Sequence, residues 1–335
     1  MPSTSTTTST GTRGPATAVR RAIESIQPIV SMWRDGLTVI ALESSQPNRQ
    51  PEELTLDQAH ASAAIEVTES PMQTVPTVDA ITKAMPVLIL DGDTIIGGAQ
   101  NRIINISILL KAASTTSIPV SCLEMGRWNS GRRFDASRPV DHSMRRMVAQ
   151  QVTRSVHEDR TSGEVRYAAD QGAIWHEIGE RQARSSTHSS TQALHDVYRS
   201  EERTLGEMLR AFPMPPGARG IAVGLHNELV GLDLFDSAET MERQWSRLVG
   251  SAASALLDRQ RAIAAGAAPK PKHRGLHGDA LDRMLKRATA AVGKPTVAPS
   301  VGLGHDVRFS APKLVGTALV HYPRAIHVAL FRAAV

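Results

Sequence analysis

The chain has 335 residues, of which 41% are hydrophobic, 21% charged and only 4% aromatic, the balance expected of a soluble globular protein with an aliphatic core. The formal charge is +5, but only seven of the 38 basic residues are lysine and the arginines are interleaved with Asp and Glu, so no focused basic stripe points to a nucleic-acid partner. One cysteine excludes an internal disulfide, no run of about 18 apolar residues offers a membrane span, and the first residues lack a secretory pattern, so a cytoplasmic protein with no membrane partner is expected.

Residues 1–18 are rich in Ser and Thr with almost no large apolar side chain. A disordered tail is therefore expected over 1–30, ahead of one domain over 31–335. A strand is expected at 37–42, a helix at 54–64 and a strand at 65–68. Residues 87–90 form a continuous apolar run, the pattern of a strand covered on both faces. Ile104, Ile106, Ile108 and Leu110 alternate with Ile103, Asn105, Ser107 and Leu109, which predicts one strand. A further strand is predicted at 118–123, with Pro119 at its start or on an edge because proline donates no ladder hydrogen bond.

From Asp141 the period becomes helical. Gln171, Trp175, Ile178 and Gln182 share one helical face, and Ser189 with Gln192 offers a capping box for the helix that carries Leu194 to Leu209. Strands are expected at 221–225 and 230–235, joined by a tight turn. Asp236 and Glu239 then cap a helix with the stripe Met241, Trp245, Leu248, Val249, Ala252 and Leu256. A basic Ala/Pro/Gly loop, expected to be mobile, occupies 264–278. A helix at 279–291 and paired strands at 307–309, 317–320 and 326–331 close the chain. The fold class this predicts is α+β, with a mixed or antiparallel sheet from both ends of the chain and helices from its middle.

Residues 86–128 are the densest in candidate chemistry. Asp91, Asp93, Gln100, Asn101, Arg102, Glu124 and Arg127 sit at the ends of buried strands, the usual arrangement of a site on a rigid scaffold. Arg102 shares strand parity with Ile104 and Ile106, so it is expected to be buried and to need an anion. That anion is either a ligand phosphate or carboxylate, or an internal carboxylate such as Asp91, Asp93 or Glu124. The three acids also suit acid/base work or a hard cation, while Asp-Gly-Asp is equally an ordinary turn. Gln171, on an apolar helical face, must bond a loop or a ligand. Cys122 reads as a small buried hydrophobe, with a nucleophile as the alternative. His321 and His327 flank a turn, where a structural or solvent role is the default. No compact metal-ligand spacing, no GxxxxGK[ST] loop and no GxGxxG after a strand is present, so no metal site or cofactor is assigned.

Several short motifs carry a family resemblance in chain order. They are Leu90-Asp91-Gly92-Asp93, Gln100-Asn101-Arg102, residues 118–122 and 124–128, Asp170-Gln171 ahead of Trp175, and Ser190-Thr191 ahead of Tyr198. Asp233-Leu234-Phe235-Asp236 and Gly302-Leu303-Gly304 ahead of Arg308 complete the set. Over residues 37–331 the chain resembles the ARPP-1 domain, a family associated with ADP-ribosylglycohydrolases. Ala99, Met125 and His305 stand where that family tends to carry lysine, glutamine and an acidic residue. The resemblance implies a nucleotide-like small molecule as partner, derived from ADP-ribose or NAD and bound or processed. The alternative is a non-catalytic interaction or scaffold protein, since no recognised catalytic constellation is present.

Overall fold

Apolar strands from both ends of the chain and from its middle pair into one eight-stranded antiparallel sheet. Its first four strands in spatial order are β1 (Ile26–Arg34), β2 (Leu37–Ser44), β12 (Gly220–Leu225) and β13 (Glu228–Phe235). Next come β17 (Arg324–Phe331), β16 (Leu314–His321), β15 (His305–Ala311) and β14 (Thr296–Pro299). The structure is a computed structural model and describes residues 14–70, 76–127, 131, 133–159, 165–271 and 275–333. Side chains alternate across the sheet, so its inner strands serve two cores. Val39, Val223 and Phe235 meet α5 (Leu194–Leu209) and α6 (Ala238–Ala264) on one face. Leu232, Leu234 and Leu330 meet α1 (Pro15–Glu24) and α7 (Ala280–Ala291) on the other.

The central motifs build a second unit. Strands β4 (Ile65–Glu69), β5 (Thr77–Thr82), β7 (Thr94–Gly97), β8 (Arg102–Ile104), β10 (Ser114–Cys122) and β11 (Arg133–Ser137) close into a barrel in the order β10-β5-β4-β11-β7-β8. Val67, Val78, Ile95, Ile103, Val120 and Phe134 share a core with α3 (His142–Asp159) and α4 (Gln171–Ser185). A small sheet of β3 (Leu54–Thr55), β6 (Val87–Ile89) and β9 (Ile108–Leu110) stands beside it, with α2 (Leu56–Ala61) following β3. The α+β class expected from the sequence is the architecture found, with sheet strands from both chain ends. Among the described residues no helix is long and apolar enough to cross a membrane.

Four sequence expectations need correction. The tail expected over 1–30 is structured from residue 14: α1 starts with Pro15 in its first turn and buries Ala18, Val19 and Ile23, and β1 follows at once. Residues 1–13 lie outside the described residues, as do 272–274 of the loop expected to be mobile. The run from Ile103 to Leu110 is two strands, because Asn105 and Ser107 turn inward to bond Tyr167 O and Asp91 and break the ladder between barrel and small sheet. Pro119 lies inside β10, where the strand leaves β5 and joins β8, so its missing N–H interrupts neither ladder. The caps shift as well: Ser237, not Asp236, caps α6, and α5 starts after Ala193, whose N–H bonds Ser189 Oγ. Deleting residues 1–13 should leave the melting temperature near wild type, whereas deletion through Glu24 uncovers the Val19 and Ile23 contacts and should lower it by several degrees. Equal melting of both truncations would contradict the packing of α1.

Candidate functional site

The loop between β6 and β7 carries Asp91, Gly92 and Asp93, and its shape depends on glycine. Gly92 has φ of +87°, and a Cβ there would lie 2.8 Å from Arg145 Cδ and Cγ. The bare backbone lets Arg145 from α3 lie across the turn. Arg145 donates from Nη2 to Asp91 Oδ1 at 3.0 Å and to Asp233 Oδ1 at 2.7 Å, with Nη1 to Asp233 Oδ2 at 3.0 Å. His327 on β17 places Nε2 2.9 Å from Asp233 Oδ1 and Nδ1 2.9 Å from Ser107 Oγ, and Ser107 donates to Asp91 Oδ1 at 2.8 Å. Phe235 stacks on the His327 ring at 4.8 Å. This closed ring of charge joins the barrel loops, α3 and the large sheet. Burial raises the Asp91 and Asp233 carboxyls, but Arg145 and His327 more than offset it and hold both below the usual range.

Ser107, His327 and Asp233 have the composition of a nucleophilic triad but not its use. The ring faces the serine with Nδ1, the reverse of the serine-protease arrangement, and the hydroxyl is already spent on Asp91. All three side chains are buried. The cluster holds two layers of the fold together.

The other predicted residues likewise bond within the fold, although Arg102 Nε is left without a partner. Asp93 accepts Leu90 N–H at 2.9 Å and Arg247 Nη2 at 2.7 Å. Arg102 is buried, as its parity predicts, but its anion is Glu69 at 3.4 Å, not Asp91, Asp93 or Glu124. It also donates to Gln100 Oε1 at 2.9 Å and Cys122 Sγ at 2.7 Å. Gln100 in turn donates to Met125 O. Arg127 clamps the β7–β8 loop through Gly97 O, Gly98 O and Asn101 Oδ1, all at 3.0 Å, and bonds Glu124 at 2.9 Å. Burial raises Glu124, but the bonds from Arg127, Thr191 and Asn101 N–H bring it lower overall. Gln171 bonds both backbone groups of Cys122, at 2.7 and 2.8 Å. Burial pushes the Cys122 thiol up, which disfavours the thiolate a nucleophile needs. The eight candidates are thus spread over four internal networks that fix loops. Among the described residues no group of three or more His, Cys, Asp and Glu is placed to hold a metal ion.

His142, at the start of α3, is a buried group that feels the charges of the ring but lies outside it. A side chain at Gly231 would overlap its imidazole, and its Nε2 has no partner. Burial, reinforced by Arg145 and Arg146, pushes it down to about 3. The folded ring stays neutral while the unfolded one takes up a proton below about pH 6.5. Its contribution to stability is therefore complete above pH 6.5 and declines as pH falls towards 3, by roughly 2–3 kcal/mol at pH 4.5. Urea midpoints should drop between pH 7.5 and 4.5, and drop less in His142→Leu. Parallel profiles for the two proteins would refute this assignment.

Open space lies elsewhere. A cleft of about 540 Å³ is walled by Asp57, Arg138, Glu202 and Arg247, two acids against two bases. A smaller cleft of about 220 Å³ opens at the end of the large sheet, where α1, the β2 exit loop and the start of β17 meet. Arg21, Arg49, Arg219 and Arg324 line it against a single acid, Asp236. Asp236 accepts Arg324 Nε at 2.6 Å, which leaves Arg21, Arg49 and Arg219 with no carboxylate bond among the described residues. Arg219 is 6% exposed and spends one Nη on Gln46 O at 2.6 Å. Burial lowers its pKa, which Asp236 only partly restores. For Arg324 the bonds to Asp236 and Glu53 outweigh burial and raise it. Phe235, which lines this cleft, is the same ring that stacks on His327.

None of the eight predicted residues lines this cleft, and sequence reading missed its arginines. They are separated by up to about 300 residues and looked like compositional bias. A usable signal was Asp236 in the Asp233-Leu234-Phe235-Asp236 motif. Asp233 itself, a charge at an inward position of an apolar strand, likewise marked the buried ring. No curated protein and no solved structure significantly matches the chain. Residues 29–331 match the ARPP-1 domain, the ARG and Rhodanese-Phosphatase-superfamily-associated Protein domain. Because that match takes in both the barrel with its motif loops and the sheet carrying Asp233, Asp236 and His327, the chain belongs to the ARPP-1 family.

Proposed function

We propose that this domain binds an anionic small molecule of the ADP-ribose or NAD-derived class, and that it does so in the arginine-lined cleft. One observation carries the reading: four arginines face one carboxylate there, and three of the four bond no acid. Elsewhere in the fold, Arg145, Arg181, Arg184, Arg247 and Arg308 are each paired with carboxylates. Unpaired arginines in a recess attract phosphate, and guanidinium groups match its geometry bidentately. The α6 helix begins two residues after Asp236, so its positive end adds to the same field. The family's association with ARG proteins supports an ADP-ribose context. No catalytic step is assigned.

Calorimetry with ADP-ribose, NAD and AMP tests this. Arg21 and Arg49 are exposed, so the Arg21→Glu, Arg49→Glu double variant should fold like wild type. It should bind at least about tenfold more weakly, a loss of roughly 1.4 kcal/mol. Absence of heat from folded wild type at millimolar ligand would overturn the proposal. That outcome would favour the second reading, a scaffold or interaction protein, which draws support from the internal bonds that each motif residue makes.

A further inference from the structure

Resting on that binding reading, we infer that the group entering the cleft is a phosphorylated sugar: one phosphate together with at least one hydroxyl that donates a hydrogen bond. The cleft holds about 220 Å³, below the roughly 300 Å³ at which sites for whole drug-sized ligands begin. A dinucleotide-sized molecule would therefore place only one end inside. The polar lining specifies which end.

Among the described residues twelve buried side-chain polar atoms have no partner, and three belong to residues of this one cleft: Gln46 Nε2, Arg219 Nε and Asp236 Oδ1. Two are donors and one is a carboxylate acceptor. Buried and unbonded, each carries a desolvation penalty that a ligand group relieves. As the side chains stand, all three atoms are shut off from solvent. The terminal torsions of Asp and Gln are broad, so a ligand that enters the cleft can meet Gln46 Nε2 and Asp236 Oδ1 after local rotation of these two groups, with Asp236 Oδ2 kept on Arg324.

A bare phosphate suits the arginines and Gln46 but not Asp236, whose oxygen repels it. A ligand bearing both phosphate and hydroxyl suits all of them: the anion on Arg21, Arg49 and Arg219, and the hydroxyl on Asp236 Oδ1. Arg324, bonded to Asp236 and to Glu53 at 3.3 Å, holds that carboxylate in place. The acid thus rejects simple anions and selects a polyol phosphate, an attraction and a repulsion working together.

Three probes decide it by calorimetry on the full chain: inorganic phosphate, propyl phosphate and ribose 5-phosphate. Ribose 5-phosphate should bind at least about tenfold more tightly than propyl phosphate, which presents an anion without hydroxyls. Asp236→Asn should reduce that preference to about twofold or less and leave propyl phosphate bound as tightly or more tightly. Equal affinity of the two organic phosphates for wild type overturns the sugar inference and leaves the anion site standing. So does binding of ADP-ribose without ribose 5-phosphate. If no phosphate probe and no nucleotide binds, the underlying reading falls as well. Should Asp236→Asn fold poorly, the wild-type comparison of the two organic phosphates decides alone.

Discussion

Arg145→Met is expected to remove a large share of the protein's stability. The side chain is 3% exposed and is the common donor to Asp91 and Asp233, themselves 6% and 4% exposed. Its guanidinium also lies 5.1 Å from the Phe331 ring centroid, within reach of a cation–π contact. Removing it strands two buried carboxylates, a change that costs roughly 3–5 kcal/mol. A typical domain holds only about 5–15 kcal/mol in total. Neutralising the acids in the same background, with Asp91→Asn and Asp233→Asn, should recover part of the loss, because the uncompensated charge is then gone. Urea unfolding followed by circular dichroism measures both. An Arg145→Met midpoint equal to wild type would show that the ring of charge does not hold the barrel to the sheet.

Arg102→Ala should also be strongly destabilising, by roughly 3 kcal/mol, the low end for breaking a buried pair. Glu69 loses its guanidinium but keeps the N–H of Ala99 at 2.9 Å, which softens the effect. Gln100 and the Cys122 thiol lose their partner as well. At a temperature where the variant is still folded, its affinity for ADP-ribose should match wild type, because Arg102 does not line the arginine cleft. A variant that melts within a degree of wild type but no longer binds would reverse this and restore Arg102 as a ligand group.

Arg102 also illustrates what the sequence disclosed. Its parity with Ile104 and Ile106 correctly placed it inside, since alternation is a local property of a strand. The stripe of α6 and the pairing of the last three strands were legible for the same reason. The identity of its anion was not. Glu69 lies 33 residues earlier and reaches Arg102 only because β4 and β8 belong to one closed barrel. Asp91 meets Arg145, and Ser107 meets His327, across 54 and 220 residues, so their partners could not be read from spacing. Helix α1 was hidden because it has only two large apolar side chains, Val19 and Ile23, which are buried with Ala18. The cleft was the least legible feature of all. Each of its four arginines comes from a different segment, and each looked ordinary in its own context.

Ligands are expected to enter at the arginine cleft and not at the conspicuous motif loops. Diffraction from crystals grown with ADP-ribose tests this most directly. Phosphate density should lie against Arg219, flanked by Arg21, Arg49 and Arg324, with Asp91, Arg102, Glu124 and Arg127 keeping the internal partners described above. Density seated among Asp91, Arg102, Glu124 and Arg127, with those pairs opened to receive it, would contradict it.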